Sequence, residues 1–219
     1  MNVLLFGPPG AGKGTQAEAV VARLGVPHVA TGDIFRRHLK EQTELGRLAK
    51  GFMDRGELVP DEVVCALVTD RLSQEDASGG VLLDGFPRTV AQGRILLDWL
   101  ASNGRAVDLV LSLEVSPELL VARLSGRRTC RSCGRSYHAE TGPPRVNGVC
   151  DACGGEVVQR DDDREDTVRS RLETYLRETA AVLPFLAQNC RVVRIDGSQS
   201  IGEVGAMVST AIDQAQSSP

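Results

Sequence analysis

The residues from Gly7 to Thr15 have the types and the spacing of a phosphate-binding loop. They read Gly-Pro-Pro-Gly-Ala-Gly-Lys-Gly-Thr and directly follow the apolar run Val3–Phe6. Glycines at these positions let backbone N–H groups converge on an anion, and Lys13 adds a positive charge at the start of a helix. Mg²⁺ is normally contacted by a Ser or Thr after the lysine, whereas here Gly14 intervenes before Thr15. The pattern favours binding of a nucleotide phosphate, and the alternative is a glycine-rich turn that only caps a helix.

Four of the six cysteines have the spacing of metal ligands. Cys130-x-x-Cys133 and Cys150-x-x-Cys153 are separated by sixteen residues, a distance typical of a four-cysteine zinc site. A closed shell of four thiolates leaves no position for a substrate, so such a zinc ion would be structural. Two disulfides or a redox pair are the alternatives, and iron can occupy the same set of ligands.

Asp84 and Arg88 form a third group, on either side of a Gly-Phe-Pro turn that follows the apolar residues Val81–Leu83. A carboxylate at the end of a strand can organise Mg²⁺ and its waters, and an arginine fork matches two phosphate oxygens. The alternative is a tight turn that carries a solvated arginine. Together with the glycine-rich loop, this group indicates chemistry on phosphates.

Apolar runs alternate with helical patterns and must position these groups. Strands are predicted at residues 2–6, 27–30, 81–84, 107–113 and 192–195, and helical stretches at 13–24, 31–55, 61–76, 89–103, 117–125, 164–188 and 200–215. Such alternation indicates an α/β fold whose parallel sheet is covered by helices on both faces. Residues 31–59 and the cysteine-containing residues 126–160 interrupt the alternation. The polar tail 214–219 is predicted to fray.

The composition excludes several classes of protein. The chain has 219 residues, 42% hydrophobic content and a formal net charge of −4. These values suit one core with small insertions, and they argue against a nucleic-acid partner held by charge. No apolar run approaches the length of a membrane span, so we expect no membrane partner and a cytoplasmic location. Paired cysteines in such a compartment bind metal more often than they form disulfides.

Taken together, these motifs resemble the adenylate kinases, in the long, zinc-containing form found in bacteria. The resemblance covers essentially the whole chain, and the ending Gly-Lys-Gly-Thr is usual for nucleoside monophosphate kinases. The matching segments are 7–15, 31–33 with Arg36, 57–59, 84–88, Gln92, 126–128, the four cysteines, 160–163 and Arg171. The resemblance implies a P-loop nucleoside monophosphate kinase fold with a five-stranded parallel sheet. It also implies reversible, Mg²⁺-dependent transfer of the terminal phosphate of ATP to AMP, which yields two ADP.

The same resemblance implies three structural parts. Residues 1–29, 60–125 and 164–219 would form a core domain, residues 30–59 an AMP-binding domain, and residues 126–163 a zinc-binding lid. A lid that closes over bound substrates keeps water away from the transferred group, and adenylate kinases are themselves a standard example of such closure. The enzyme would act as a monomer.

The resemblance also assigns site residues. The ATP site would contain Gly10, Ala11, Gly12, Lys13, Gly14, Thr15, Arg123, Arg127, Ser136, Tyr137 and Gln199. The AMP site would contain Thr31, Arg36, Glu57, Leu58, Val59, Gly85, Phe86, Pro87, Arg88, Gln92, Arg160 and Arg171. The catalytic residues would be Lys13, Arg88, Arg123, Arg160, Arg171 and Asp84. In this set the cations would neutralise the transferred phosphate, Asp84 would organise the metal's water shell, and Thr31 and Gln92 would help to select adenine.

Other interpretations stay open. Arg171 borders an apolar helical stripe, where a salt bridge would satisfy it as well as a phosphate would. The stripe comprises Val168, Leu172, Tyr175, Leu176, Leu183 and Leu186. The run Asp161–Asp163 would cap the next helix or latch a closed lid. The three histidines lie outside the motifs and are predicted to be surface or packing residues. Rival functions are a kinase for UMP, CMP or GMP, a GTP-preferring donor site, and a zinc-ribbon module that binds nucleic acid.

Overall fold

A computed structural model describes residues 1–217 of the chain. Its main sheet has five parallel strands, which confirms the predicted α/β class and all five predicted strand positions to within two residues. These strands are β1 (Asn2–Phe6), β2 (His28–Ala30), β3 (Val81–Asp84), β4 (Leu109–Glu114) and β8 (Val192–Asp196), in the spatial order β2-β3-β1-β4-β8. The first strand is therefore central, and the loop that follows it opens at the carboxyl edge of the sheet.

Helices cover both faces of this sheet. In the described residues they are α1 (Lys13–Leu24), α2 (Thr31–Lys40), α3 (Glu44–Arg55), α4 (Asp61–Leu72), α5 (Val90–Ser102), α6 (Pro117–Gly126), α7 (Glu165–Thr174), α8 (Val182–Asn189) and α9 (Ile201–Gln216). None of the helices in residues 1–217 combines the length and the apolar character that a membrane span requires.

The central strand shows why the sheet needs cover on two sides. Successive side chains of a strand point to opposite faces, and β1 sends Leu4 and Phe6 into one core but Val3 and Leu5 into the other. The first core is completed by α4, α5 and α8, and the second by α1, α6 and α9. All five residues of β1 are buried, which explains their nearly continuous apolar run.

The segment with the four cysteines forms a separate antiparallel sheet. Its strands are β5 (Arg127–Cys130), β6 (Ser136–His138) and β7 (Val157–Val158), in the order β6-β5-β7. Its buried apolar cluster consists of only Cys130, Cys150 and Val157, with Tyr137 packed against it. So small a core cannot hold a sheet together without further cross-links.

The single helical stretch predicted for residues 31–55 is wrong in one respect, because it is split into α2 and α3. Gln42 adopts a positive φ of 55° between them, a conformation that ends a right-handed helix. Thr43 then caps α3, since its hydroxyl accepts a hydrogen bond from Gly46 N.

The stretch predicted for residues 164–188 is also interrupted. A π-helical turn occupies Tyr175–Thr179 before α8 begins. The predicted apolar stripe is wrong at Leu176, which lies within this turn and is 67% exposed. Val168, earlier in the same stripe, is fully buried as expected.

The predicted fraying from Gln214 onward is wrong at its start, because α9 continues to Gln216. Its capping box at Ser200 and Glu203 fixes the other end of this helix. Ser218 and Pro219 lie outside the described residues.

Candidate active site

The glycine-rich loop closes tightly between β1 and α1. Gly12 stands at the N-cap of α1 with a left-handed φ of 95°, which only glycine adopts without strain. Gly10 also has a positive φ, of 84°, and a Cβ atom there would lie 2.9 Å from Leu124 Cγ. The N-terminus of α1 has no side-chain cap, so no capping side chain competes with an anion for its N–H groups.

The side chain of Lys13 folds back against this loop. Its Nζ donates hydrogen bonds to Gly7 O at 2.8 Å and to Pro8 O at 3.0 Å. Burial lowers the pKa of Lys13 to about 8, against the opposing charge of Asp84. The ammonium group is therefore held in place but is poorly solvated, which is the condition under which it gains most from an anionic ligand.

Asp84 ends β3, as the sequence predicted, and its charge acts on Lys13. Burial opposes its ionisation, but the neighbouring His28 and the charge of Lys13 outweigh that effect and lower the pKa of Asp84. His28 Nε2 lies 3.6 Å from Asp84 Oδ2. His28 is exposed, as predicted for a surface residue, but its ring also lies beside Asp84, which the sequence did not predict. It begins β2, which pairs with β3, and sequence alone did not reveal that pairing.

Guanidinium groups from four separate segments of the chain gather in the region of Lys13 and Asp84. The positive charges of Arg88, Arg171 and Arg127 all lower the pKa of Lys13. Those of Arg36 and Arg127 lower the pKa of Arg160. Burial and the charge of Arg171 lower the pKa of Arg88 to about 10, while burial and Arg36 lower that of Arg160 to about 10. These five arginines, with Lys13, form what we call the cation cluster.

Two aspartates neutralise part of the cation cluster. Asp163 is fully buried, and it accepts hydrogen bonds from Arg127 Nε at 2.7 Å and from Arg171 Nη1 at 3.0 Å. Asp162 Oδ2 lies 3.1 Å from Arg171 Nη1 and 4.0 Å from Arg36 Nη1. The prediction that these aspartates cap the following helix is wrong, because α7 starts after Arg164 without a side-chain cap. The carboxylates of Asp162 and Asp163 instead serve as counter-ions for buried arginines, which are costly to leave unpaired.

The remaining predicted donor-site residues make contacts outside the cation cluster. Arg123 Nη1 donates to Gly197 O at 2.8 Å, and Gln199 Nε2 donates to Asp196 Oδ2 at 2.7 Å. The first contact joins α6 to the loop between β8 and α9, and the second joins that loop to the end of β8. Ser136 is exposed at the start of β6 and pairs with Thr129.

The predicted acceptor-site residues meet around Gly85, just after β3. Thr31 Oγ1 donates to Gly85 O at 2.9 Å, and Arg88 Nε donates to the same oxygen at 2.7 Å. Phe86 and Pro87 are buried, and the ring of Phe86 packs in the core. Gln92 is 1% exposed, and both ends of its amide are hydrogen-bonded within the protein.

A cleft of about 280 Å³ opens beside this group. Leu58 and Val59 line it together with Asp61 and Thr89, of which only the first two were predicted. Glu57 does not line the cleft, and its carboxylate accepts a hydrogen bond from Arg55 Nε at 2.9 Å. The structure thus brings together most of the predicted acceptor residues and adds Asp61 and Thr89.

The four predicted metal ligands converge as the spacing indicated. The sulfurs of Cys130, Cys133, Cys150 and Cys153 all lie within 4.8 Å of one another. The distances are 3.5 Å from Cys130 Sγ to Cys153 Sγ and 3.6 Å from Cys133 Sγ to Cys150 Sγ. Sulfurs at 2.3 Å from a central ion in a tetrahedron would be about 3.8 Å apart. All four are free thiols, so the residues fit a tetrahedral metal centre rather than two disulfides.

Tyr137 faces this centre. Its hydroxyl lies 3.3 Å from Cys150 Sγ and accepts a hydrogen bond from Asp151 N at 2.8 Å. Because the Asp151 N–H is the donor in that second bond, the hydroxyl proton is free to bond to the sulfur. The bond lowers the pKa of Cys150 to about 6 and so favours the thiolate form that binds metal. The side chain predicted to contact ATP is thus engaged with Cys150.

Replacing Tyr137 with phenylalanine should weaken metal retention, because it removes a hydrogen bond to a ligand sulfur. Loss of such an outer contact typically costs 10–100-fold in metal affinity, so we expect roughly tenfold faster release of zinc to a chelator. Tyr175→Phe is the matched control, since Tyr175 is the other tyrosine and contacts Phe6 in the core. Equal release rates for Tyr137→Phe and the wild type would contradict this role.

The fold and the site define the class of protein. A parallel sheet, a P-loop after its central strand and a buried cation cluster at the same edge are the features of a P-loop phosphotransferase. A family model described as adenylate kinase matches residues 5–191. The chain belongs to the adenylate kinase family.

Similarity to individual members extends over nearly the full chain. The sequence is 52% identical over 204 residues to adenylate kinase of Clostridioides difficile (strain 630), covering 93% of this chain and 94% of that protein. It is 51% identical over 214 residues to that of Carboxydothermus hydrogenoformans, covering 98% and 100%. It is 50% identical over 212 residues to that of the strain Methanocella arvoryzae MRE50, covering 97% and 98%.

Proposed function

We propose that this protein catalyses the reversible, Mg²⁺-dependent transfer of the terminal phosphoryl group of ATP to AMP, giving two ADP. The observation that carries the proposal is the cation cluster, which collects Lys13 and five arginines beside the P-loop. Phosphoryl transfer depends on positioning and on neutralising charge. A buried cluster of cations can position two nucleotides whose phosphates face each other, and it can neutralise the charge of those phosphates.

The chemistry needs no general base. The attacking atom is a phosphate oxygen of AMP, which is already ionised at neutral pH. Lys13 would hold the ATP phosphates, while Arg88, Arg123, Arg160 and Arg171 would stabilise the charge on the transferred group. When Mg²⁺ is bound with ATP it neutralises polyphosphate charge, and the ionised carboxylate of Asp84 suits the organisation of its water shell.

Each nucleotide would have its own set of residues. Residues 10–15, with Arg123, Arg127, Ser136, Tyr137 and Gln199, would serve ATP. AMP would be served by Thr31, Arg36, residues 57–59, residues 85–88, Gln92, Arg160 and Arg171. Segment 30–59 would close over AMP, segment 126–163 would close over ATP, and residues 1–29, 60–125 and 164–217 would form the core between them. The antiparallel sheet of β5, β6 and β7 supports the second assignment, because it carries both Arg127 and the metal ligands.

We further propose that the four cysteines hold a structural zinc ion. The sulfur-only ligand set suits zinc, and the sheet that it would stabilise has almost no apolar core. A monomeric state and a cytoplasmic location stay predictions of the sequence.

Nucleotide binding should be coupled to proton uptake at mildly alkaline pH. The pKa of Lys13 is about 8 in the free protein, and a bound polyphosphate would raise it by stabilising the ammonium form. At about pH 8.5 most Lys13 is then neutral before binding and charged after it, while the phosphates are already ionised. Calorimetric titration with ATP in two buffers of different ionisation enthalpy should show uptake of a large fraction of one proton. Proton release, or no exchange, would contradict the assignment.

The proposed reaction is tested by incubating the purified protein with ADP and Mg²⁺ alone. ATP and AMP should form in equal amounts until equilibrium is reached. Screening AMP, GMP, CMP and UMP as acceptors against ATP and GTP as donors should single out the pair ATP and AMP. Absence of disproportionation together with salt-dependent binding to DNA or RNA would instead favour the zinc-ribbon interpretation.

A further inference from the structure

We propose that Asp61 is a specificity-determining positioning residue for the acceptor base. It holds the side-chain amide of Gln92 in the orientation that matches adenine. The inference rests on the proposed function, and it concerns a residue that the sequence motifs did not single out. Asp61 itself would act through Gln92 and would not need to contact the nucleotide.

The contacts of Gln92 define which way its amide points. Its Nε2 donates to Asp61 Oδ1 at 2.7 Å, and its Oε1 accepts from Arg88 N at 2.7 Å. The backbone N–H of Arg88 can only donate, and a carboxylate oxygen accepts. An inverted amide would place donor against donor and acceptor against acceptor, so the surroundings permit one orientation.

The second carboxylate oxygen of Asp61 is hydrogen-bonded as well. Asp61 is the first residue of α4, and its Oδ2 accepts a hydrogen bond from Thr89 Oγ1 at 2.7 Å. Thr89 in turn caps α5, because its hydroxyl accepts from Gln92 N at 3.1 Å. The side chains of Asp61 and Thr89, with the side-chain amide and the backbone N–H of Gln92, form a closed ring that joins the starts of two helices. An acidic group is also favoured there by the helix dipole.

This arrangement leaves a defined pattern for a base. An amide group has two N–H donors and two acceptor lone pairs. In Gln92, Asp61 takes one N–H and the backbone N–H of Arg88 takes one lone pair. The remaining N–H and lone pair fit adenine, which presents an amino donor beside a ring-nitrogen acceptor. Guanine presents its O6 acceptor where adenine has the amino group, so it would require the inverted amide that Asp61 and Arg88 oppose. The cleft lined by Leu58 and Val59 also contains Asp61 and Thr89, which places the ring at the edge of the proposed acceptor site.

The test compares acceptor selectivity in variants of the full chain. With ATP saturating, the ratio of kcat/KM for AMP to that for GMP should fall about tenfold in Asp61→Ala, a typical loss when a paired base contact is disturbed. The KM for ATP should stay within twofold of the wild-type value. Glu62→Ala is the matched control, because Glu62 is exposed in the same helical turn, and it should leave the ratio unchanged.

A conservative variant separates position from charge. Asp61→Asn keeps an oxygen that can accept from Gln92, and its amide nitrogen can donate to Thr89 Oγ1. It should restore the selectivity to within about threefold of the wild type. An equal loss in Asp61→Asn and Asp61→Ala would show that charge, rather than the position of the acceptor, sets the selectivity, and would overturn the proposal.

Failure of this inference differs from failure of the proposed function. If the wild type does not interconvert ADP with ATP and AMP, the function itself is wrong. If the wild type does so and Asp61→Ala keeps its AMP to GMP ratio, only the role of Asp61 is wrong. Should Asp61→Ala not fold, Thr89→Val releases the same carboxylate from its second partner. It should lower the ratio at least threefold, and an unchanged ratio in this variant would overturn the proposal.

Discussion

Replacing Lys13 with methionine is expected to lower kcat by about 100- to 1,000-fold. Nζ is held by two loop carbonyls at 2.8 and 3.0 Å, so it acts as a preorganised donor at the position proposed for the ATP phosphates. Removing one such donor typically costs about 3–4 kcal/mol of transition-state stabilisation. Methionine keeps a long unbranched side chain and removes only the charge and the donors.

The experiment measures ADP formation from ATP and AMP under saturating conditions, with thermal unfolding as a check on folding. The fold should survive, because the substitution removes a buried charge that is costly in the free protein. Lys50→Met is the matched control, since Lys50 is 51% exposed and pairs with Asp54 on its own helix. Near-normal turnover in Lys13→Met would refute the role of Lys13.

Replacing Asp163 with alanine is expected to lower the free energy of unfolding by about 3–5 kcal/mol, the usual cost of breaking a buried ion pair. The carboxylate is fully buried between Arg127 and Arg171. Its loss would leave the guanidinium group of Arg127 without its carboxylate partner and Arg171 with Asp162 alone. Equilibrium unfolding in urea measures the change, and added ATP should recover part of it, because phosphates would replace the missing negative charge.

Asp161→Ala provides the control for this prediction. The Asp161 side chain is 82% exposed, and its carboxylate lies 3.7 Å from Arg164. A surface pair of this kind contributes about 0–1 kcal/mol, so the stability should hardly change. A loss below about 1 kcal/mol in Asp163→Ala would mean that the arginines do not depend on this carboxylate.

The two aspartates also explain how so many cations can coexist without substrate. Burial lowers the pKa of Arg88 and Arg160 to about 10, which shows that their charged forms are poorly accommodated. Asp162 and Asp163 reduce that cost for the arginines they contact. Nucleotide phosphates bring more negative charge than two carboxylates, so binding would relieve the remaining repulsion. The site is therefore electrostatically prepared for a polyphosphate.

Features that depend on local sequence could be predicted well. The five strands of the main sheet appear as short apolar runs, and the P-loop and the C-x-x-C pairs have spacings with a direct physical meaning. The four sulfurs converge because the spacing of such pairs is itself a constraint on geometry. The assignment of Lys13, Asp84 and Arg88 to one edge follows from the rule that parallel strands present their carboxyl ends together.

Features that depend on tertiary pairing could not be predicted. His28 lies beside Asp84 only because β2 is the neighbour of β3. The order of the strands in a sheet cannot be predicted from apolar periodicity. The π turn at Tyr175–Thr179 and the exposure of Leu176 within it have no signal in the apolar periodicity. Asp61 looks like an ordinary first-turn acid of a helix, and its bond to Gln92 joins residues 31 positions apart.

The central claim is that distant cations surround the phosphates of two facing nucleotides. A crystal structure with a bisubstrate mimic, in which a polyphosphate joins two adenosines, tests it most directly. We expect Lys13, Arg36, Arg88, Arg127, Arg160 and Arg171 to place nitrogen atoms about 2.7–3.2 Å from the phosphate oxygens. If Arg127 and Arg171 stayed paired with Asp163 and the other cations pointed away from the polyphosphate, the claim would be contradicted.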